Sequence, residues 1–320
     1  MAGFILRRLW QSAILVAGVS LIGYALMFLA PGGPLSVYTL NPGVTAADIE
    51  RIAKALGLDQ PFHVQYLKWA GGLFTGDWGT SFVARRPVAE VVLERLPATL
   101  LLMGTAVTAA ALIGTAVGAL GAFQRYSLFD YLATTWAMMA LSLPTFWFGL
   151  VAIYVFAVNL GWFPAGGMRT LGGEGGVWDL AHHLALPAGV LTLVLVAQWS
   201  RYARSAVLEV LTQDYMRAAR AKGLSRSTIL FRHAMRGALG PLVTLLGLQM
   251  PLLFGGALVT ETVFSWPGMG LLFVSSLGTR DYPVLMGILM LSAVSVVVGN
   301  LLADLANAAI DPRVKKGAAR

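Results

Sequence analysis

Six stretches of this 320-residue chain are long and apolar enough to cross a bilayer, and they dictate most of what it can fold into. About 20 apolar residues carry a helix across the hydrocarbon core. The windows are 9–30, 98–121, 131–160, 184–200, 237–260 and 282–303. Lipid offers stray backbone N–H and C=O groups no partner, so helices are the spanning element. The fourth window is the shortest and carries Pro187 near its start. The third is the longest and contains Pro144, where a tilt or kink is expected. Arg7 and Arg8 ahead of the first window imitate a secretory signal. The apolar run exceeds a signal core and lacks a small-x-small cleavage site, so a retained first helix is expected.

Charge fixes the orientation. Only 12% of the residues are charged, against about 25% in soluble domains. Six crossings put both termini on one side, and the charges then divide unevenly. That side holds fifteen Lys/Arg against five Asp/Glu, and the other holds eight against ten, which together make the net charge of +8. Basic residues stay inside, so the termini and the loop 201–236 are expected in the cytoplasm. The basic surplus is thus a topology signal, and nucleic acid drops out as a partner. With no cysteine, disulfides, thiolate metal sites and thiol nucleophiles are excluded.

The loop 201–236 carries eight Lys/Arg between two apolar windows. One such charge at the bilayer centre costs roughly 3 kcal/mol, so the segment belongs in water. Asp214 is placed as the N-cap of a short helix, 215–222, which Gly223 closes. Ser225 then caps a second helix, 226–236. Ala218, Ala219 and Ala221 make a slim surface, ringed by Arg217, Arg220, Lys222, Arg226 and Arg232, with Leu224 between the helices. The block either enters a groove on a partner or lies on anionic headgroups.

On the opposite side, residues 31–97 form an external cap. Thr45 and Asp48 predict a capped helix ending at Gly57, followed by a second helix over 61–71 that Gly71 and Gly72 break. This cap either packs on helix ends or serves as a platform for an external partner. The loop 161–183 is glycine-rich and reads as a flexible connector rather than a phosphate cradle, since it follows no strand. His182 and His183 are adjacent, which favours an interfacial pair over a metal site.

Ala218-Ala219-x-x-x-Gly223 resembles the coupling-loop motif of membrane subunits in binding-protein-dependent ABC transporters. Arg217 stands where the general pattern has Glu, and His233, Met235 and Arg236 stand at its Ile, Leu and Pro positions. These departures fit the dipeptide/oligopeptide/nickel permease branch, which favours Arg-x-Ala-Arg-Ala-Lys-Gly-Leu and Arg-His-Ala. Leu56-Gly-Leu-Asp-Gln-Pro61, Gly76-Asp-Trp-Gly-Thr-Ser81, Glu94-Arg-Leu-Pro-Ala-Thr-Leu100 and Leu143-Pro-Thr-Phe-Trp147 extend the likeness. Gly161-Trp-Phe-Pro164, Glu261-Thr-Val-Phe-Ser-Trp-Pro-Gly-Met-Gly270, Arg280-Asp-Tyr-Pro283 and Asp311-Pro-Arg313 carry it almost to the end.

The resemblance implies an all-α, six-helix, type I importer-like permease of the B-type half. A cytoplasmic coupling helix would lie between helices 4 and 5. The chain divides into 1–30 (N-terminus and first helix), 31–97 (cap), 98–306 (permease core) and 307–320 (tail). Implied partners are a second similar permease subunit, two ATP-hydrolysing subunits and an external solute-binding protein, besides lipid. ATP and Mg would sit in the partners, with no cofactor, metal or catalytic residue in this chain. The coupling residues would be Asp214, Arg217, Ala218, Ala219, Arg220, Lys222, Gly223, Leu224 and Ser225, with an altered charge pairing at Arg217.

Polar groups inside spans face a cavity or another helix. Ser142, Thr145, Gln198, Gln249 and Asn300 are therefore path candidates, with inter-helix hydrogen bonding as the alternative for each. Pro241, Pro251 and Gly255-Gly256 supply either a gate bend or local packing. The transported solute is expected to be a di- or oligopeptide; nickel, glutathione or oligosaccharides share the scaffold. An intramembrane enzyme is disfavoured by the lack of paired mid-span carboxylates, His-Glu-x-x-His and Gly-x-Ser-x-Gly.

Overall fold

The computed structural model describes residues 2–30, 43, 45–55, 57–173, 175–255 and 257–310. Most of the stretch 31–44 and the tail from 311, with Arg313, Lys315, Lys316 and Arg320, lie outside the described residues. Among the described residues the ordered structure is helical, apart from one isolated bridge between Thr80 and Pro87.

Helix α1 (Ala2–Leu29) leads to two short helices of the cap, α2 (Ala46–Ala55) and α3 (Phe62–Thr75). The capping box forms: the Asp48 N–H donates to Thr45 Oγ1, and the Thr45 N–H returns a bond to Asp48 Oδ2. The Thr45 hydroxyl and N–H hold the Asp48 carboxyl below its ordinary range. Gly57, at φ +66°, ends this helix in the left-handed conformation.

Helix α3 runs through Gly71 and Gly72, against the expected break, and stops at Gly76. Gly72 has no room for a side chain, since a Cβ there would meet the Asp77 carbonyl oxygen at 2.8 Å. An aromatic group of Tyr24, Phe28, Phe62, Tyr66 and Trp69 binds α3 to α1, with Tyr24 and Trp69 centroids 5.3 Å apart.

Among the described residues four helices are long and apolar enough to span: Leu6–Leu29, Val88–Phe123, Val177–Leu211 and Tyr282–Ala306. Helices α4 (Val88–Phe123) and α7 (Val177–Leu211) outrun the windows at both ends, carrying Pro97 and Pro187 inside them. The third window is no simple kink. It divides at Leu143–Pro144 into α5 (Leu128–Ser142) and α6 (Thr145–Ala152), the latter continuing as a π-helical turn to Asn159, and the two arms stand 97° apart. Pro144 has no N–H and forces Leu143 into extended backbone, so the helix cannot run on.

The bent pair reaches both ends of α7. Arg204 holds Asp130 near one end, and His182 Nε2 donates to the Trp162 carbonyl at the other, 2.6 Å away. These anchors are about 33 Å apart along α7 at 1.5 Å per residue.

Helix α8 (Asp214–Ala221) follows, then a turn of helix α9 (Arg226–Thr228), a π-helical stretch Ile229–Ala234 and α10 (Met235–Gly255). The expected separate helix over 226–236 is thus the start of one continuous helical rod, right-handed at every junction. Pro241 and Pro251 lie inside α10. Gly256 is outside the described residues. Two short helices, α11 (Leu258–Val263) and α12 (Met269–Gly278), precede α13 (Tyr282–Ile310).

Small residues bring the long helices together, as lipid-embedded packing demands. A Cβ at Gly114 would strike Trp199, and one at Gly118 would overlap the Ser200 carbonyl, so α4 and α7 touch backbone to backbone. Trp199 adds a hydrogen bond across the seam to Thr115, 2.8 Å long. Gly247 against Ala303 does the same for α10 and α13.

Candidate functional site

The basic block is a seated helix. Gln213, in extended backbone, occupies the N-cap position of α8 without a side-chain cap. Asp214 is the first helical residue instead of the cap, where its charge meets the positive end of the helix dipole. Arg217 lies 3.5 Å from it, one turn on. At the far end the Leu224 N–H bonds to the Ala219 carbonyl and the Gly223 N–H to that of Arg220. Gly223, at φ +73°, makes this a Schellman closure. Ser225 caps the next helix as expected, its Oγ accepting from the Thr228 N–H at 3.3 Å.

Met216 and Ala219, three residues apart, face inward together. Met216 packs in one cluster with Val207 and Val210 of α7, Ala119 and Ala122 of α4, and Ile229 and Leu230 of the rod. Ala219 is only 7% exposed, so it belongs to the seat and not to the slim outer surface expected of it. The outer face consists of Asp214, Tyr215, Arg217, Ala218, Ala221 and Lys222, with Arg220 at its edge. Beside it a groove of about 810 Å³ is lined by Arg125, Arg220, Arg226 and Leu224, with Glu209 the sole acid among its lining residues.

Residues 110–316 match the family model described as "Binding-protein-dependent transport system inner membrane component". Residues 1–103 match the model for its N-terminal region, "Binding-prot-dependent transport system membrane comp, N-term". The chain belongs to this family. The permease is 46% identical over 316 residues to "Oligopeptide transport system permease protein AppB" of Bacillus subtilis (strain 168), covering 98% of this chain and 100% of the relative. It is 37% identical over 336 residues to "Dipeptide transport system permease protein DppB" of Escherichia coli (strain K12), covering 98% and 99%. It is likewise 37% identical over 315 residues to "Glutathione transport system permease protein GsiC" of Salmonella paratyphi A (strain ATCC 9150 / SARB42), covering 98% and 99%.

The permease's path candidates do not converge. Ser142 and Thr145 flank the break between α5 and α6, and the Ser142 hydroxyl donates back to the Met138 carbonyl at 2.8 Å. Gln198 lines a groove of about 390 Å³ with Leu141, next to that break. Gln249 is buried within α10, and Asn300 is exposed on α13. Neither lines the Gln198 groove.

Among the described residues three buried carboxylates organise the permease, Asp130, Glu261 and Asp281. Asp130 takes two bonds from Arg204, 2.6 and 2.8 Å, and one from the Tyr126 N–H. Glu261, wholly buried, accepts from the Thr99 hydroxyl and from the Gly270 and Leu271 N–H groups at the start of α12. Asp281 receives the Ser81 hydroxyl and the Phe82 and Val83 N–H groups, tying the turn 77–87 to the foot of α13. Sequence proximity could have linked only Asp130 to Tyr126; the other bonds join residues up to 200 positions apart.

The loop after α6 is pinned rather than loose over its first half. His183 bonds the Gly166 carbonyl at 3.1 Å, and Asp179 accepts from the Thr170 N–H and hydroxyl. Among the described residues no group of three His, Cys, Asp or Glu is placed to hold a metal.

Proposed function

We propose that this permease is one of two membrane subunits of an ATP-driven importer for di- or oligopeptides, with its termini and α8 in the cytoplasm. Six crossings follow if the bent α5–α6 pair counts as the third and α10 as the fifth. The two anchors of that pair on α7, about 33 Å apart, match the roughly 30 Å hydrocarbon thickness and support a broken span over a re-entrant loop.

The observation that carries the reading is α8 itself: a short helix locked on one side by Met216 and Ala219, with a bare basic face on the other. A face so held transmits force where a floppy loop would absorb it. In this reading α8 docks into an ATP-hydrolysing subunit. Two such subunits hold the ATP and Mg, and a second permease and an external solute-binding protein complete the assembly. This chain supplies part of the path and no catalytic group. A peptide solute agrees with the names of the oligopeptide and dipeptide relatives; the glutathione relative at 37% identity keeps that tripeptide as the second reading.

The test is to co-express the permease with its proposed permease and ATP-hydrolysing partners and reverse the charge by Arg217→Glu or Lys222→Glu. Each variant is expected to insert normally yet retain several-fold less ATPase on purification, with a matching loss of peptide uptake. Unaltered association and uptake would reject the assignment.

A further inference from the structure

The sharp break at Leu143–Pro144 imposes a condition on what surrounds it. Leu141, Ser142, Leu143 and Pro144 are all exposed in this subunit. The last carbonyls of a helix lack intrahelical donors, and non-helical backbone at membrane depth is tolerated only against protein or a water-filled cavity. Lipid is therefore excluded from the face that carries the break.

On α7 next to it stand Gln198, Arg201, Tyr202 and Ser205, which with Leu141 line the groove of about 390 Å³. Their spacing of three, one and three residues places them in one stripe. Gln198 lies six residues inside the Arg204 anchor, about 9 Å into the membrane along the helix. Arg204, one turn beyond Arg201 and flanking the stripe, is consumed by Asp130. Among the described residues no carboxylate pairs with Arg201, and none lines its groove.

We propose that Arg201, flanked by Gln198, Tyr202 and Ser205, is a station on the inner half of the path that receives the carboxylate of the passing solute. This rests on the importer reading above. The chemistry fits: a guanidinium presents a planar fork to a carboxylate, while the amide and two hydroxyls supply further polar contacts. An unpaired arginine at the rim also attracts phospholipid phosphate, but lipid contact would leave the broken backbone facing hydrocarbon.

The chain has no cysteine, so a single introduced thiol reports on one position. The complete importer is reconstituted in proteoliposomes and assayed with radiolabelled tri-alanine and tetra-alanine. Arg201→Gln is expected to lower uptake about tenfold, as loss of a charge-assisted contact implies, with unchanged recovery of the assembled complex. Arg201→Lys is expected to recover a substantial part of the rate. In parallel, Gln198→Cys should react with a membrane-impermeant, charged thiol reagent, and saturating tri-alanine should slow that reaction.

A Gln198→Cys protein silent to the aqueous reagent would place the stripe against lipid or a partner subunit instead of water and overturn the proposal. So would uptake by Arg201→Gln within twofold of the unmodified chain, or equal losses in the Gln and Lys variants. Should the unmodified importer carry neither peptide, the peptide-importer reading itself fails, a result separate from any effect of Arg201.

Discussion

Arg204 on α7 grips Asp130 on α5 through two hydrogen bonds, 2.6 and 2.8 Å long. Asp130 is 5% exposed at its side chain and Arg204 28%, so the pair is largely withdrawn from solvent. Its position is also tightly specified: a Cβ at Gly121 would come within 3.1 Å of Asp130 Oδ1.

Removing one member strands the other. Asp130→Asn and Arg204→Gln should each destabilise the permease by about 3 kcal/mol, the scale for breaking an enclosed ion pair. The double variant should lose clearly less than the sum, because neither charge is then left without its partner. Thermal unfolding of the four proteins in detergent checks this, and additive losses would show that the pair is not coupled.

Glu261 gathers the cluster that joins α11 and α12 to α4. Its side chain receives three donors, and the Thr99 hydroxyl that serves it also accepts from the Met269 N–H. Glu261→Ala leaves buried N–H groups without acceptors and is expected to cost about 2–4 kcal/mol. Gly268→Ala should be similarly harmful, since its Cβ would fall on the Glu261 carboxylate, whereas Gly104→Ala has open space. Melting temperatures compare the three; an undisturbed Gly268→Ala protein would contradict the packing described.

Ala218 and Ala219 are neighbours with opposite surroundings. Ala219→Leu must force extra volume into the seat beneath α8, at about 1–3 kcal/mol. Ala218→Leu, on the exposed face, should stay within about 0.5 kcal/mol of the parent while weakening retention of the proposed ATP-hydrolysing partner. Unfolding and pull-down measured on both variants separate seat from surface. Equal stability of the two would mean that α8 is not seated as found.

Much of this architecture was legible in the residues. Apolar length located the long helices, and Thr45, Gly57, Gly223 and Ser225 marked their turns because caps and left-handed closures are decided by two or three adjacent residues. Pro144 signalled a disturbance, but its size depends on how α6 packs against Phe264 and Leu186, which no local pattern encodes. Ala219 was misplaced for the same reason. An alanine is small enough for either face, and the seating of Met216, one turn away on the same helix, decided which side turned inward. Asp130, Glu261 and Asp281 passed unremarked as sites because their donors lie mostly in distant parts of the chain. Arg201 and Arg204 look alike in sequence; only the fold gives one a carboxylate.

The unbroken rod from Arg226 to Gly255 has a mechanical corollary. Thirty residues of helix measure about 45 Å, and its base is clamped beside Met216 while its shaft lies on Ala303. If it moves as one body, a sideways shove at the base turns it about its contact with α13 and swings its far end the opposite way. Inward and outward apertures would then be two positions of one seesaw.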